Sequence, residues 1–288
     1  MAETVGERAQ TRRALRARAG QSPPKAGRNL PAATAVGLAL IAVVVASLYL
    51  YTPLFVGLVT LFAVLGVWEL DHALRQGRIW VPLPPVLLAA GLVPLAYVAG
   101  PDGLAAGFAA VTAMIVLWRS VGDPVGALTD VAGGVFVVAY LPVLAAITML
   151  MVAEPDGVGR ILTYVLVTVA SDTGGYVVGV LRGRTPMAPS LSPKKSWEGF
   201  AGSVGTSAVV GALAVVLLLD GPWWVGCVVG AVAACFATVG DLAESSIKRD
   251  LGIKDMGHLL PGHGGVMDRL DSLLVTAPVC WALLHVLL

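Results

Sequence analysis

The sequence predicts an all-α polytopic membrane protein with about nine transmembrane helices, and three observations predict it. Of 288 residues, 57% are hydrophobic and only 13% charged, with a mean hydropathy of +0.83. A soluble domain carries roughly 25% charged residues. Apolar runs of about 20 residues, long enough for a ~30 Å hydrocarbon core, recur from Ala32 to the C-terminus. The basic residues also sort to one side when these runs are threaded through a bilayer. This composition excludes a secreted disulfide scaffold and an ordinary soluble enzyme. A net charge of +1 leaves no field to recruit nucleic acid.

Residues 1–30 read as a disordered basic cytoplasmic arm with Arg8, Arg12, Arg13, Arg16, Arg18, Lys25 and Arg28. The arm lacks the apolar core and cleavage site of a signal peptide, and its charge holds it at an anionic membrane surface. Residues 31–152 read as N-terminal transmembrane helices. Residues 153–288 form a second transmembrane region whose cytoplasmic loops carry the chemistry. Spans are expected near 32–51, 53–68, 83–99, 103–118, 131–152, 161–181, 199–219, 222–240 and 270–288. The tight turns at 51–53 and 220–222 leave room for a merged or re-entrant pair. With the N-terminus inside, all but Arg160 of the 19 Lys and Arg fall on inside segments. That satisfies the positive-inside rule and puts the N-terminus on the cytoplasmic side of the cell (inner) membrane. Tyr49, Tyr51, Trp68, Trp80, Trp223 and Trp224 sit near span ends, as an interfacial belt does. Cys227, Cys235 and Cys280 fall inside apolar runs without CxxC spacing and read as buried, unreactive thiols.

Polar chemistry collects in three places. Ser171-Asp172-Thr173-Gly174-Gly175 interrupts an apolar span, and a carboxylate there faces a cavity or a partner; a structural hydrogen bond to a neighbouring helix is the alternative. In Arg182–Gly199, Ser192-Pro193 reads as a helix start. Lys194, Lys195 and Ser196 then lie at a helix N-terminus, an anion site. The third place is Asp241–Asp271. If the eighth span continues beyond the membrane, Asp241, Glu244, Ser245, Lys248 and Arg249 share one helical face. Asp268 and Asp271, spaced i, i+3, open the last span. Three carboxylates from two helices suit a hard divalent cation that itself holds phosphate oxygens. Between them, the glycines of Pro261-Gly262-His263-Gly264-Gly265 let successive N–H groups cradle phosphate, among Lys248, Arg249, Lys254 and Arg269. On residues alone the site supports metal-dependent chemistry or binding of a phosphorylated ligand at the cytoplasmic interface. A transporter would need polar residues strung across several spans, and apart from Asp172 there are none.

The C-terminal segment resembles the phosphatidate cytidylyltransferase family, also called CDP-diacylglycerol synthase. The family pattern is Ser-x-aliphatic-Lys-Arg, Lys-Asp, a Gly/Pro stretch, His-Gly-Gly and Asp-Arg-x-Asp. It matches Ser245–Arg249, Lys254-Asp255, Gly257, Pro261, His263-Gly264-Gly265 and Asp268-Arg269-Leu270-Asp271. The family's Ser-Asp-Thr-Gly and Ser-Pro-Lys-Lys-(Ser/Thr)-x-Glu-Gly elements resemble Ser171–Gly174 and Ser192–Gly199. The resemblance implies transfer from CTP to phosphatidate, giving CDP-diacylglycerol and pyrophosphate, by in-line attack of the lipid phosphate with Mg2+ in phospholipid biosynthesis. It implies Asp241, Asp268 and Asp271 as metal ligands and leaves open a second cation such as K+. Lys248, Arg249, Lys254, Arg269, Lys194 and Lys195 then hold the triphosphate or the lipid phosphate, undivided between the two. Asp255 and His263 join the catalytic set, His263 as the orienter of a carboxylate. Ser171, Asp172, Ser196, Ser245, Gly264 and Gly265 join the substrate contacts. The same resemblance implies a homodimer in the lipid bilayer.

Overall fold

The computed structural model describes residues 42–121, 124–189, 191–257 and 265–288. Residues 42–50 are helical, and Pro53 opens the next helix, α1 (Thr52–Gln76), behind an extended Tyr51. Proline suits a first turn because its missing N–H would go unpaired there anyway. After α1, α2 (Leu83–Leu88) passes through a 3-10 turn into α3 (Leu92–Ser120). Within α3, Gly100 takes φ 64° and ψ −158°, followed by Pro101. Only glycine adopts that conformation readily. A Cβ on Gly107 would stand 2.6 Å from Leu92 and Leu95, so the chain doubles back at Gly100 and the two arms lie side by side.

The next span joins α4 (Ala127–Val138) to α5 (Leu144–Val152) through a π turn containing Pro142. Proline has no N–H to give the preceding turn, and the ladder widens there. Then come α6 (Gly157–Arg182), the hairpin β1 (Pro186–Ala188) and β2 (Ser192–Ser196), α7 (Trp197–Leu218), α8 (Trp223–Asp250) and α9 (Met267–Leu287).

Seven helices among the described residues are long and apolar enough to cross a bilayer, against about nine expected. Half of the first expected span, 32–41, lies outside the described residues, and the doubled-back stretch Leu83–Ser120 counts once among the seven. The all-α membrane architecture is the one the sequence predicts. Its span ends were drawn where apolarity stops, but two helices run on: α1 past Trp68 to Gln76, and α8 past Gly240 to Asp250. Cys280 is buried and Cys227 half-buried, while Cys235 is exposed, contrary to the expected burial; all three are free thiols.

The start of α7 also corrects the sequence reading. Ser192-Pro193 does not begin a helix: both residues lie in β2, antiparallel to β1, with Pro186 opposite Ser196 and Ala188 opposite Ser192. Pairing with β1 claims the extended backbone that a helix would have to bend. Lys194 and Lys195 therefore run along a strand. The helix starts at Trp197, where the Ser196 Oγ accepts the Gly199 N–H at 3.1 Å. Ser196→Ala is expected to remove this cap at a cost of about 1 kcal/mol, read as a lower thermal midpoint in detergent. An unchanged midpoint would show that the cap contributes nothing.

Small residues bring α6, α7 and α8 together. A Cβ on Gly211 would lie 2.2 Å from the Gly226 carbonyl oxygen, and one on Gly230 would lie 2.0 Å from that of Ser207. In lipid, where apolar burial drives little association, such backbone approach and interhelical hydrogen bonds hold helices together. Ser203 and Ser207 of α7 donate to the Ser171 and Val167 carbonyls of α6 at 2.8 and 2.7 Å. The Tyr164 hydroxyl donates to the Leu273 carbonyl of α9 at 2.8 Å, and Arg160 donates to that of Leu284 at 2.9 Å. These four helices form the frame on which the polar residues sit.

Candidate active site

At one end of that frame, α6, β1, β2, α7, α8 and α9 surround a cavity of about 480 Å³. Its polar wall holds Ser171 and Asp172 of α6, Lys194, Lys195 and Ser196 of β2, Asp241 of α8, and Asp268, Arg269 and Asp271 of α9. Tyr176, Met187 and Phe200 form an apolar part of the same wall, and Tyr176 is largely exposed. Nine residues singled out in the sequence thus meet in one cavity, although they come from segments up to a hundred residues apart.

The hydrogen bonds fix the carboxylates in two groups. Asp241 pairs with Lys195 through one oxygen and accepts the Ser272 hydroxyl at 2.6 Å through the other. The same hydroxyl lies 3.4 Å from Asp271, which also accepts the Ser272 N–H at 2.8 Å. Asp268 accepts the N–H of Gly265 at 2.9 Å and that of Met256 at 3.2 Å, and pairs with Lys248 at 2.5 Å. Lys248 reaches back one turn to Glu244 at 2.6 Å, as the expected shared face of α8 requires.

Lys248 therefore stands behind Asp268, outside the cavity lining, with its charge spent on two carboxylates. Half-buried Ser245 and exposed Arg249, Lys254 and Asp255 also stand outside the lining. Gly265 is buried and points its N–H at Asp268. His263 and Gly264 lie outside the described residues.

Among the described residues, no three Asp, Glu, His or Cys side chains stand close enough together to hold a metal ion. Asp241 and Asp271 meet at Ser272, and Asp268 faces its own donors. The chemistry of the wall nevertheless fits a hard cation. Among the described residues that line the cavity, the four carboxylates Asp172, Asp241, Asp268 and Asp271 stand against three cations, Lys194, Lys195 and Arg269, so the wall itself gives an entering polyphosphate no excess of positive charge. A divalent cation arriving with it reverses that balance, and carboxylate oxygens are its ordinary ligands.

Sequence reasoning missed Ser272, which joins two of the carboxylates, and Glu69 of α1, which is 1% exposed. The expected span ended at Trp68 and left Glu69 in a loop. Continuing the helix one turn would have made it an acid inside a span, itself a functional signal.

Residues 31–287 match the Cytidylyltransferase family. The chain is 41% identical over 295 residues to a phosphatidate cytidylyltransferase of Mycobacterium leprae (strain TN), covering 96% of this chain and 94% of that one. It is 36% identical over 277 residues to that of Mycobacterium tuberculosis (strain ATCC 25618 / H37Rv), covering 91% and 84%. With the phosphatidate cytidylyltransferase of Synechocystis sp. (strain ATCC 27184 / PCC 6803 / Kazusa) it shares 43% identity over 121 residues, 41% of this chain.

Proposed function

Because the chain belongs to the Cytidylyltransferase family, we propose that it transfers the cytidylyl group of CTP to phosphatidate, yielding CDP-diacylglycerol and pyrophosphate. The observation that carries this reading is the mixed cavity wall. Tyr176 and Phe200, on membrane-spanning helices, adjoin Lys194, Lys195, Arg269 and the four aspartates. A lipid phosphate and a nucleotide triphosphate need that combination of an apolar flank and charged groups.

A lipid phosphate oxygen attacks the α-phosphorus of CTP, a new P–O bond forms, and the bond to the β-phosphate bridging oxygen breaks as pyrophosphate leaves. The nucleophile is already anionic near neutral pH, so no strong base is needed; positioning and charge stabilisation do most of the work. Lys194, Lys195 and Arg269 hold phosphate oxygens and keep the two polyanions together. Asp241, Asp268 and Asp271 would hold Mg2+, which supplies positive charge at the leaving pyrophosphate. Ser272 keeps Asp241 and Asp271 aimed at the cavity, and Ser171 and Asp172 border the substrates from α6. By family resemblance Arg249, near the end of α8, Lys254, Asp255 and His263 belong to the same catalytic set. The basic residues around the cavity support a cytoplasmic site in the cell membrane; the homodimer belongs to this proposal by family resemblance.

The test uses purified protein in mixed lipid–detergent micelles with phosphatidate, Mg2+ and radiolabelled CTP. Label is expected in the organic phase in one-to-one step with pyrophosphate, lost on EDTA addition and restored by excess Mg2+. Turnover that persists in EDTA would remove the metal from the reading. Folded protein that labels no phosphatidate would remove the acceptor.

A further inference from the structure

The buried carboxylate of Glu69 lies far from the family motifs in sequence, yet it touches their loop. One oxygen, Oε2, accepts the Met267 N–H at 2.9 Å, across 198 residues of chain. Among the described residues the other, Oε1, has no hydrogen-bond partner. Two glycine backbones close around the group: a Cβ on Gly257 would lie 2.2 Å from Oε1, and one on Gly265 would lie 2.6 Å from Oε2. The Gly265 Cβ would also lie 2.8 Å from the Gly257 nitrogen, so the two ends of the intervening segment are pinched together against Glu69. Asp268 grips the same two ends, through the N–H groups of Met256 and Gly265. A carboxylate kept in so enclosed a place is costly unless hydrogen bonding repays it, and the one bond it accepts among the described residues, from Met267, serves this junction.

We propose that Glu69 is a positioning residue, a brace from the N-terminal half that pins the start of α9 and so sets where Asp268, Arg269 and Asp271 stand in the cavity. The inference rests on the cytidylyltransferase reading for its activity arm only. It also explains why glycine stands at 257 and 265: any side chain there would displace the carboxylate.

The experiment compares wild type, Glu69→Ala and Glu69→Gln as full chains in detergent, by kinetics and by backbone hydrogen exchange. Glu69→Ala is expected to lower kcat about 10²-fold, the size of a misplacement near 1 Å, and to raise exchange at Met256, Gly257, Gly265 and Met267 while α6 and α7 keep their protection. Glu69→Gln keeps an acceptor oxygen at the same reach and is expected to recover most of the rate and the protection. Unchanged exchange in Glu69→Ala would overturn the proposal, as would faster exchange with kcat within twofold of wild type. So would a Glu69→Gln protein as slow as Glu69→Ala with its segment still protected, since charge and not position would then matter. Should Glu69→Ala fail to fold, Gly257→Ala presses on the same carboxylate from the loop side; it is expected to show the same local exchange and loss of rate, and a wild-type profile would overturn the brace. Wild-type protein without CTP-dependent lipid labelling would sink the functional reading alone, because the exchange arm needs no turnover.

Discussion

Asp268→Asn is expected to lower kcat by about 10³-fold, at the upper end of what loss of one preorganised electrostatic group costs, while the protein still folds and inserts. The substitution keeps the volume and one acceptor oxygen but removes the charge. The Gly265 and Met256 N–H groups already share one carboxylate oxygen, Oδ2, at 2.9 and 3.2 Å, and an amide oxygen can take its place. Lys248 would keep Glu244 as its partner at 2.6 Å, so the helix face does not lose its cation. Steady-state kinetics at saturating CTP and phosphatidate, alongside the thermal midpoint, separate the two effects. A rate within tenfold of wild type would take Asp268 out of the catalytic set.

The second large effect falls on stability. Lys248→Met is expected to cost about 3–5 kcal/mol, the usual penalty for breaking a buried ion pair from one side. The ammonium lies between Glu244 and Asp268, whose side chains are only 4% and 8% exposed. Methionine fills the space but leaves the two acids facing each other with no cation between them. The midpoint is expected to fall by roughly 10 °C, with the rate falling too, because Asp268 loses the partner that aims it. Adding Glu244→Gln removes one of the stranded charges, and part of the midpoint is expected to return, since neighbours in one network couple by about 0.5–3 kcal/mol. A single variant as stable as wild type would show that water reaches this pair freely.

What the sequence could convey depended on how far apart the partners lie. Asp241, Glu244 and Lys248 needed only the pitch of one helix, and α8 does run unbroken through Asp250. Asp172 could be found because a carboxylate is conspicuous in an apolar run. The pairing of Lys195 with Asp241 spans 46 residues and depends on how β2 lies against α8, which no local pattern encodes. Ser192-Pro193 shows the opposite failure. Locally it has the chemistry of a helix start, but pairing with Pro186–Ala188 keeps it extended and moves the cap four residues on, to Ser196. Glu69 was lost to a boundary drawn about two turns too early, which counted a buried acid as a loop residue. Lys248 was legible as a cation of the site, but its pairing with Asp268, 20 residues on in the chain, was not.

The glycine seam between α7 and α8 has a mechanical consequence. With backbone against backbone at Gly211, Gly226 and Gly230, neither helix can slide or roll on the other without a collision, so the pair acts as one beam. Phe200 and Ser203 on one flange and Thr238 and Asp241 on the other keep their spacing under changes in lateral pressure. A thicker or thinner bilayer is then met by leaning the whole beam, and the distances across the mouth of the cavity stay the same.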